Sequence, residues 1–390
     1  MRGRKMKYYD VIIVGAGIAG CGLAYNLKRF GYKGSVLVID KNGVGSGRGY
    51  GYRITFEDMI EKYNLPYFHV YDCVNVGAYS ESYFRIKYPI YFVDYTEICE
   101  TLIDKSSVVV SKETALILSK NKLKTDKDIY CFKYLVDCSG SNSFVGNIIK
   151  KQRPIIYWIN KSRILKNTLG IKDESFYYMF SNTGYFEEMY PLGEKLIHAD
   201  WLYTKKLDFN LISPHDKSLI RDKTEQPFRD EFKSIVPVSP TLPIVFRNYS
   251  FLGDSCGCAD PAVGMGIKTI LRSSEILAVS LKLDNLKYYE KKWKREFFDR
   301  YVRCVASKLD RYFSPSFFKN VKKYPKLTKL VKVMGEKDPD SFLRLLRNEN
   351  VNVSDEIKSV LPKRHKFFII SIYVFLRLKY MMIDLKFKNK

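Results

Sequence analysis

Eight cysteines are scattered through the 390-residue chain without a single CxxC pair. That spacing excludes zinc-finger, zinc-ribbon and thioredoxin-like sites, so no metal is expected. Acidic residues are scarce: 42 Asp and Glu stand against 66 Lys and Arg, a formal net charge of +24. The surplus favours anionic partners, membrane surfaces among them. With no finger spacing, RNP-like segment or internal repeat beside it, no specific nucleic-acid partner is expected. A signal-peptide core is also missing, because the leader MRGRKMKYYD runs straight into a strand pattern. The expectation is a reduced, cytoplasmic setting, with peripheral attachment to the inner face of a membrane as its variant.

What the chain does have is an apolar fraction of 46% and an aromatic fraction of 15%, enough for a sizeable core in two or three domains. Residues 8–40, YYDVIIVGAGIAGCGLAYNLKRFGYKGSVLVID, read as strand, glycine turn, helix and strand. Gly15 permits the tight turn, Gly17 lets backbone approach a pyrophosphate, and Gly20 lets helix and strand pack closely. The helix N-terminus, with Ile18 and Ala19, supplies free N–H groups and a positive dipole. Asp40, followed by Lys41, ends the second strand where an adenosine ribose needs an acceptor. This is a dinucleotide site, and NAD and FAD fit it equally.

A second glycine turn, FLGDSCGCADPAVGMGI at 251–267, lies far downstream. Gly253 and Asp254 follow a short strand at Tyr249–Leu252, and a helix is expected over Gly264–Ala278. A carboxylate at a strand tip suits a ribityl chain. Bare N–H groups around Gly264, Met265, Gly266 and Ile267 suit a flavin carbonyl or phosphate. Cys256 and Cys258 read as small packing residues.

The GxGxxG turn together with the late GD…P…G.G pattern resembles the flavin monooxygenase-type FAD fold, shared by hydroxylases, geranylgeranyl reductases and lycopene cyclases. YLVDCSGSNSFV (134–145) is similar to that family's DasGxxS segment. VDYTEICETL (93–102) stands in place of its vdRxxfd segment, with Tyr95 where an Arg is usual. The resemblance implies a Rossmann-like α/β FAD-binding domain with an inserted β-rich substrate domain and a helical C-terminal region. The divisions expected are 1–55, 88–150 and 240–285 for FAD, 56–87 and 151–239 for substrate, and 286–390 for the helical part. It also implies FAD extended from Gly15, Gly17, Gly20 and Asp40 to Asp254, Gly264 and Gly266. No second GxGxxG is present, so NAD(P)H or a reduced carrier would deliver electrons in the same cleft.

GYFEEMYPLGEKLIHADW (184–201) resembles the GYxWxFPxG stretch of the geranylgeranyl reductases, matching at Gly184, Tyr185, Tyr190, Pro191 and Gly193 with one extra residue. An aromatic wall of this kind would bind an isoprenoid or prenyl-lipid chain. Glu187 and Glu188 replace the usual Trp and resemble the acidic FLEET segment of lycopene cyclases. A carboxylate in an apolar cleft is a candidate general acid. If the two alternate along a strand, one faces solvent and only the other takes part. In the loop 41–53, Arg48 would pair with pyrophosphate or an anionic substrate head, and Arg53 ends the loop.

The expected activity is therefore reduction of an isoprenoid double bond. A flavin hydroxylase, a polyene cyclase and a membrane-docked flavoprotein without turnover are the alternatives. The apolar segment FFIISIYVFLRLKYMMI (367–383) is interrupted by Arg377 and Lys379. It reads as an interfacial helix or as a core helix closing the C-terminal region.

Overall fold

Val11–Val14 are buried without interruption, the mark of a central strand covered on both faces. The computed structural model describes residues 6–46, 52–78, 81–168, 170–182, 185–212, 232–259, 266–299, 301–302, 305–306 and 363–388. Its strands are β1 (Lys7–Val14), β2 (Val36–Asp40), β3 (Tyr52–Thr55), β4 (His69–Ala78), β5 (Glu81–Asp94), β6 (Val109–Lys112), β7 (Ala115–Ser119) and β8 (Lys122–Thr125). They continue as β9 (Ile129–Asp137), β10 (Tyr157–Lys166), β11 (Ser175–Asn182), β12 (Tyr185–Leu192), β13 (Lys195–Thr204), β14 (Phe232–Pro237), β15 (Val245–Phe246) and β16 (Tyr249–Phe251). The helices are α1 (Ile18–Arg29), α2 (Glu57–Tyr63), α3 (Tyr95–Ser106), α4 (Phe144–Ile148), α5 (Ile267–Lys282), α6 (Leu286–Trp293) and α7 (Lys363–Lys388).

Two sheets result. The first runs β15-β16-β9-β1-β2-β6 and is parallel from β16 to β6, with the β7–β8 hairpin attached to β9. The order reverses beside β1, so its C-terminal end opens a crevice between neighbours fed from opposite sides. The second sheet runs β14-β10-β13-β12-β11-β4-β5-β3, antiparallel except where β11 meets β4. Its inner face carries stacked rings: Tyr178 on Phe186 at 4.3 Å, Phe176 on Tyr190 at 5.5 Å and Phe186 on Trp201 at 5.9 Å.

Sheet membership moves two of the expected domain boundaries. β3 and residues 88–94 of β5 lie in the second sheet, because β5 is one continuous strand that crosses position 88. α2 lies between the two parts: Glu57 accepts from Tyr91 Oη of β5 at 3.1 Å, while Lys62 and Tyr63 meet Glu275 of α5. Helix α5 begins at Ile267 and runs to Lys282, with residues 264 and 265 outside the described residues. At the other end of the chain, α7 packs one face on the body through the buried Leu376, Tyr380 and Phe387, and Asp384 pairs with Lys294 at 2.5 Å.

α5 is held to α1 and α2 by a charged hub. Glu275, 5% exposed at its side chain, accepts from Lys62 at 2.6 Å, Arg272 at 2.9 Å, Tyr63 Oη at 3.0 Å and Arg29 at 3.2 Å. Burial alone would raise its carboxyl; the bonds from Lys62 and Arg272 outweigh it and hold the group below its ordinary value of 4.5. Its stabilisation is therefore complete above the ordinary carboxylate range and is lost as pH falls through the depressed value. Glu275→Gln should cost about 2 kcal/mol, less than for a wholly buried pair because its basic partners are half exposed. Denaturant melts at pH 7 and pH 3 test this: the difference between wild type and variant should shrink in acid.

Candidate functional site

The crevice at the end of β1 opens into a cleft of about 1280 Å³, its open mouth included, whose lining runs from Asp40 to Glu188. At the first end, Gly15 has φ +108°, and a Cβ there would lie 2.3 Å from the Cys138 carbonyl oxygen. A Cβ on Gly20 would lie 1.9 Å from the Gly15 oxygen. Only bare backbone lets α1 start this close to the strand tips. Asp40 is pinned by its surroundings: Oδ2 accepts the Ala16 N–H at 2.9 Å, and Oδ1 accepts those of Asn42 at 2.8 Å and Gly43 at 3.1 Å.

Tyr95, in the position where the resembling family carries Arg, has a defined task. Its hydroxyl accepts the Ile18 N–H at 3.0 Å, in the first turn of α1, and the Arg53 guanidinium sits over its ring at 5.6 Å. Both Tyr95 and Arg53 line the cleft. A cation therefore faces the cleft from β3 while the tyrosine meets the helix end. Ser139 and Gly140 line the wall beside them. They are set by Asp137, which accepts from Ser139 N–H at 3.0 Å, Ser143 Oγ at 2.6 Å and Val145 N–H at 2.8 Å.

The second glycine turn forms the opposite wall. Gly253, with φ +77°, Asp254, Ala259, Gly266 and Ile267 all line the cleft. The turn is braced from behind by Ser255, whose hydroxyl donates to the Asp137 carbonyl at 2.6 Å. Lys151 donates to the Ser255 carbonyl at 2.9 Å and lies 3.7 Å over the Phe251 ring. Burial lowers its ammonium to about 8. Cys256 and Cys258 are fully buried with their sulfurs 3.0 Å apart.

The far end of the cleft is closed by the second sheet through Asn160, Glu188, Tyr190, Trp201, Ser234 and Val236. Glu188 is 4% exposed and accepts from Trp201 Nε1 at 2.7 Å. Burial raises its carboxyl; the bonds from Tyr190 and Trp201 and the charge of Arg53 pull it back, leaving it at about 7. A carboxyl poised there can give or take a proton near neutrality.

Glu187 points to the other face of β12, as strand alternation requires. It is buried too, not solvent-facing, at 2% exposure. His198 Nε2 lies 3.4 Å from Glu187 Oε2 and 3.5 Å from Asp200 Oδ1; Tyr185 Oη donates to Asp200 at 2.5 Å. Arg163 donates through Nε to His198 Nδ1 at 3.3 Å and reaches Asp200 at 3.4 Å. The three ligand types Glu187, His198 and Asp200 are close enough for a metal ion. Yet with Nδ1 accepting from Arg163, Nε2 of His198 is left to donate to the carboxylates. The polar groups of this cluster meet one another, and Glu187 is not among the residues that line the cleft.

Of the residues singled out in sequence, the structure brings Gly15, Gly17, Ile18, Ala19, Asp40, Gly253, Asp254, Gly266, Ile267, Glu188 and Tyr190 to one cleft. Gly20 serves packing behind it. Lys41 is exposed, and Arg48, Gly184, Gly264 and Met265 fall outside the described residues. Tyr185 lies on the far face with Glu187. The Pro191 carbonyl accepts from Tyr71 Oη at 3.0 Å, and Gly193 sits in the β12–β13 turn, its N–H donating to Asp173. Asn160, Ser234 and Val236 were not legible: single residues on distant strands carry no motif.

Residues 10–52 match the family model described as FAD-dependent oxidoreductase. Among solved structures the chain is similar to the flavin-dependent brominase Bmp2, at 18% identity and TM-score 0.68 over 95% of this chain and 100% of that one. It is similar to a geranylgeranyl bacteriochlorophyll reductase-like protein from Thermoplasma acidophilum, at 17% identity and TM-score 0.68 over 92% and 100%. PqsL, a probable FAD-dependent monooxygenase from Pseudomonas aeruginosa, matches at 13% identity and TM-score 0.57 over 81% and 100%. The chain thus has the fold of these flavoproteins. Its residues 10–52 are similar to the segment described by the FAD-dependent oxidoreductase model, and FAD is the cofactor that this match indicates. The residues present fit that group: a bare helix start, a carboxylate at the end of β2 and a second one on the other glycine turn share one cleft.

Asp254→Ala is expected to weaken FAD binding by about tenfold or more, the scale of a lost hydrogen bond to a charged group. The ratio of flavin to protein absorbance after gel filtration, with a fluorescence titration of the apoprotein, measures it. Retention at the wild-type level would remove Asp254 from the cofactor site.

Proposed function

We propose that the protein is an FAD-dependent reductase of carbon–carbon double bonds in an isoprenoid or prenyl lipid, with Glu188 as the proton donor. The observation that carries this reading is Glu188 itself: buried on the cleft face of the second sheet, held by Trp201, with its carboxyl pushed up to about 7 by burial. The reduced flavin, when bound, supplies a hydride equivalent. An alkene carbon accepting it leaves its neighbour in need of a proton, which a carboxylic acid can deliver without water.

The chain's own residues divide the remaining work. Gly15, Gly17 and Asp40 would hold the ADP end of the cofactor, and Asp254 with the Gly266 turn would hold the ribityl and ring end. Tyr190, Trp201 and Val236 would form the apolar wall for the substrate. Tyr185, although part of the same strand, would act only by fixing Asp200 behind that wall. Electrons would arrive from NAD(P)H or a reduced carrier entering the same cleft.

A hydroxylase reading draws support from Arg53, Asn160 and Ser234, polar groups at the same end of the cleft that suit a substrate with an anionic or hydroxyl head. The likeness to a probable monooxygenase points the same way. A polyene cyclase would use Glu188 without net redox change. Mass spectrometry of lipids turned over by reduced enzyme without oxygen separates these: gain of two hydrogens supports the reductase, gain of oxygen only in air the hydroxylase, and isomerisation the cyclase.

Glu188→Gln should lower turnover by about a hundredfold, the usual scale of a lost general acid. Because the acid form is the active one, wild-type rate should fall as pH rises through about 7, and the variant should lose that limb. Glu187→Gln should leave the limb in place. A pH profile that is the same in wild type and Glu188→Gln removes the proton-donor assignment.

A further inference from the structure

The last helix uses only half of its circumference. α7 turns Leu376, Tyr380 and Phe387 into the body, where Tyr380 meets Phe298 and Phe387 meets Phe246. Its opposite side presents a continuous stripe at three- and four-residue spacing: Phe367, Val374, Phe375, Leu378, Met382 and Leu385, exposed by 76% at Phe367, 65% at Phe375 and 64% at Met382. So many large apolar side chains in one line on a single helix exceed the scattered exposure ordinary for a protein surface.

The charges around the stripe decide what covers it. Lys379 and Lys386 follow Phe375 and Met382 by four residues and border one edge, while Arg377, 3.8 Å from Asp299, borders the other. The sequence adds Lys363, Arg364 and Lys366 at the start of the helix and Lys388 at its end. The helix's one acid, Asp384, is turned inward onto Lys294. An apolar stripe edged with cations and stripped of exposed acids matches the boundary of an anionic bilayer, where the rings and methyls enter the acyl region and the cations meet headgroups. No described helix is long and apolar enough to cross a membrane, so the helix would lie in the plane of the surface. The formal charge of +24 adds long-range attraction to the same partner.

We infer that α7 is a membrane-docking helix, which seats the protein flat on an anionic lipid surface through Phe375, Leu378, Met382 and Leu385 with Lys379 and Lys386 on the headgroups. This docking stands on the helix alone and does not depend on which reaction the cleft carries out.

Sedimentation of the full-length protein with extruded vesicles tests it. Vesicles of phosphatidylcholine containing phosphatidylglycerol should bind at least tenfold more protein than phosphatidylcholine alone, and high salt should remove most of that preference. Phe375→Ser/Leu378→Ser/Met382→Ser should abolish binding to both while keeping the flavin content and melting temperature of the wild type, since all three side chains are exposed. Lys379→Glu/Lys386→Glu should lose the preference for phosphatidylglycerol. As a readout independent of these variants, Phe375→Trp should shift its emission to the blue when vesicles are added. Absence of wild-type binding to either vesicle would overturn the inference. So would a dimer, seen by light scattering, that the triple serine variant dissociates while vesicles leave the emission of the Phe375→Trp variant unchanged, because the stripe would then belong to a second copy.

Discussion

The structure depends on one close approach, that of α1 to the tips of β1 and β9. Gly15 and Gly20 meet there with no room for a single extra carbon. That contact aims the first turn of α1 into the crevice and sets Cys138, Ser139 and Gly140 along the wall. It also fixes where the other elements must end. β16 pairs with β9 in register through Phe251 opposite Asp137, so Gly253 emerges beside the first turn of α1, where a Cβ on it would lie 2.8 Å from the Ala19 side chain. α5 then packs on α1 closely enough that a Cβ on Gly22 would lie 2.6 Å from the Leu271 side chain. A bulky residue at the first glycine turn would thus disturb both walls of the cleft and the helix pair behind them.

The second constraint is the alternation of β12. Two adjacent glutamates, chemically identical, receive opposite assignments because successive side chains leave a strand on opposite faces. Glu188 enters an aromatic wall, where burial outweighs the bonds from Tyr190 and Trp201 and the charge of Arg53, and rises to about 7. Glu187 enters a polar layer with His198, Asp200 and Arg163 close by. The polar layer lies directly behind the cleft wall, so it secures the strands that carry Trp201 and Glu188 without touching the cleft. Both glutamates are buried, which alternation alone did not require. The far face of this sheet is covered as well, by residues such as Ile212 packing near Tyr157, Ile159 and Tyr185.

Much of the cleft's first end was legible because the features that build it are neighbours in sequence. A turn, a helix start and a strand end are local, and the spacing between Gly15 and Asp40 records one strand–helix–strand unit. The substrate end was legible only where one strand carried a motif, as at Glu188 and Tyr190. Asn160 and Ser234 reach the same cavity from strands β10 and β14, and only sheet order makes them neighbours. Arg53 and Tyr95 show the same limit. The sequence marks the loss of the family's arginine at position 95. That an arginine from β3 lies on the replacing ring is a consequence of β3 pairing with β5, one strand end before α3.

Composition and local spacing determined by themselves that this chain folds around a dinucleotide-type crevice, brings two distant glycine turns to it, and carries a basic, apolar helix near its C-terminal end. Those properties follow from steric needs and periodicities that act over a few residues. Tertiary structure alone decided which glutamate meets the cleft, which cation faces it, and which half of the last helix is left uncovered. Each of these is a question of which face an element buries, and a face is defined only once its partner is in place.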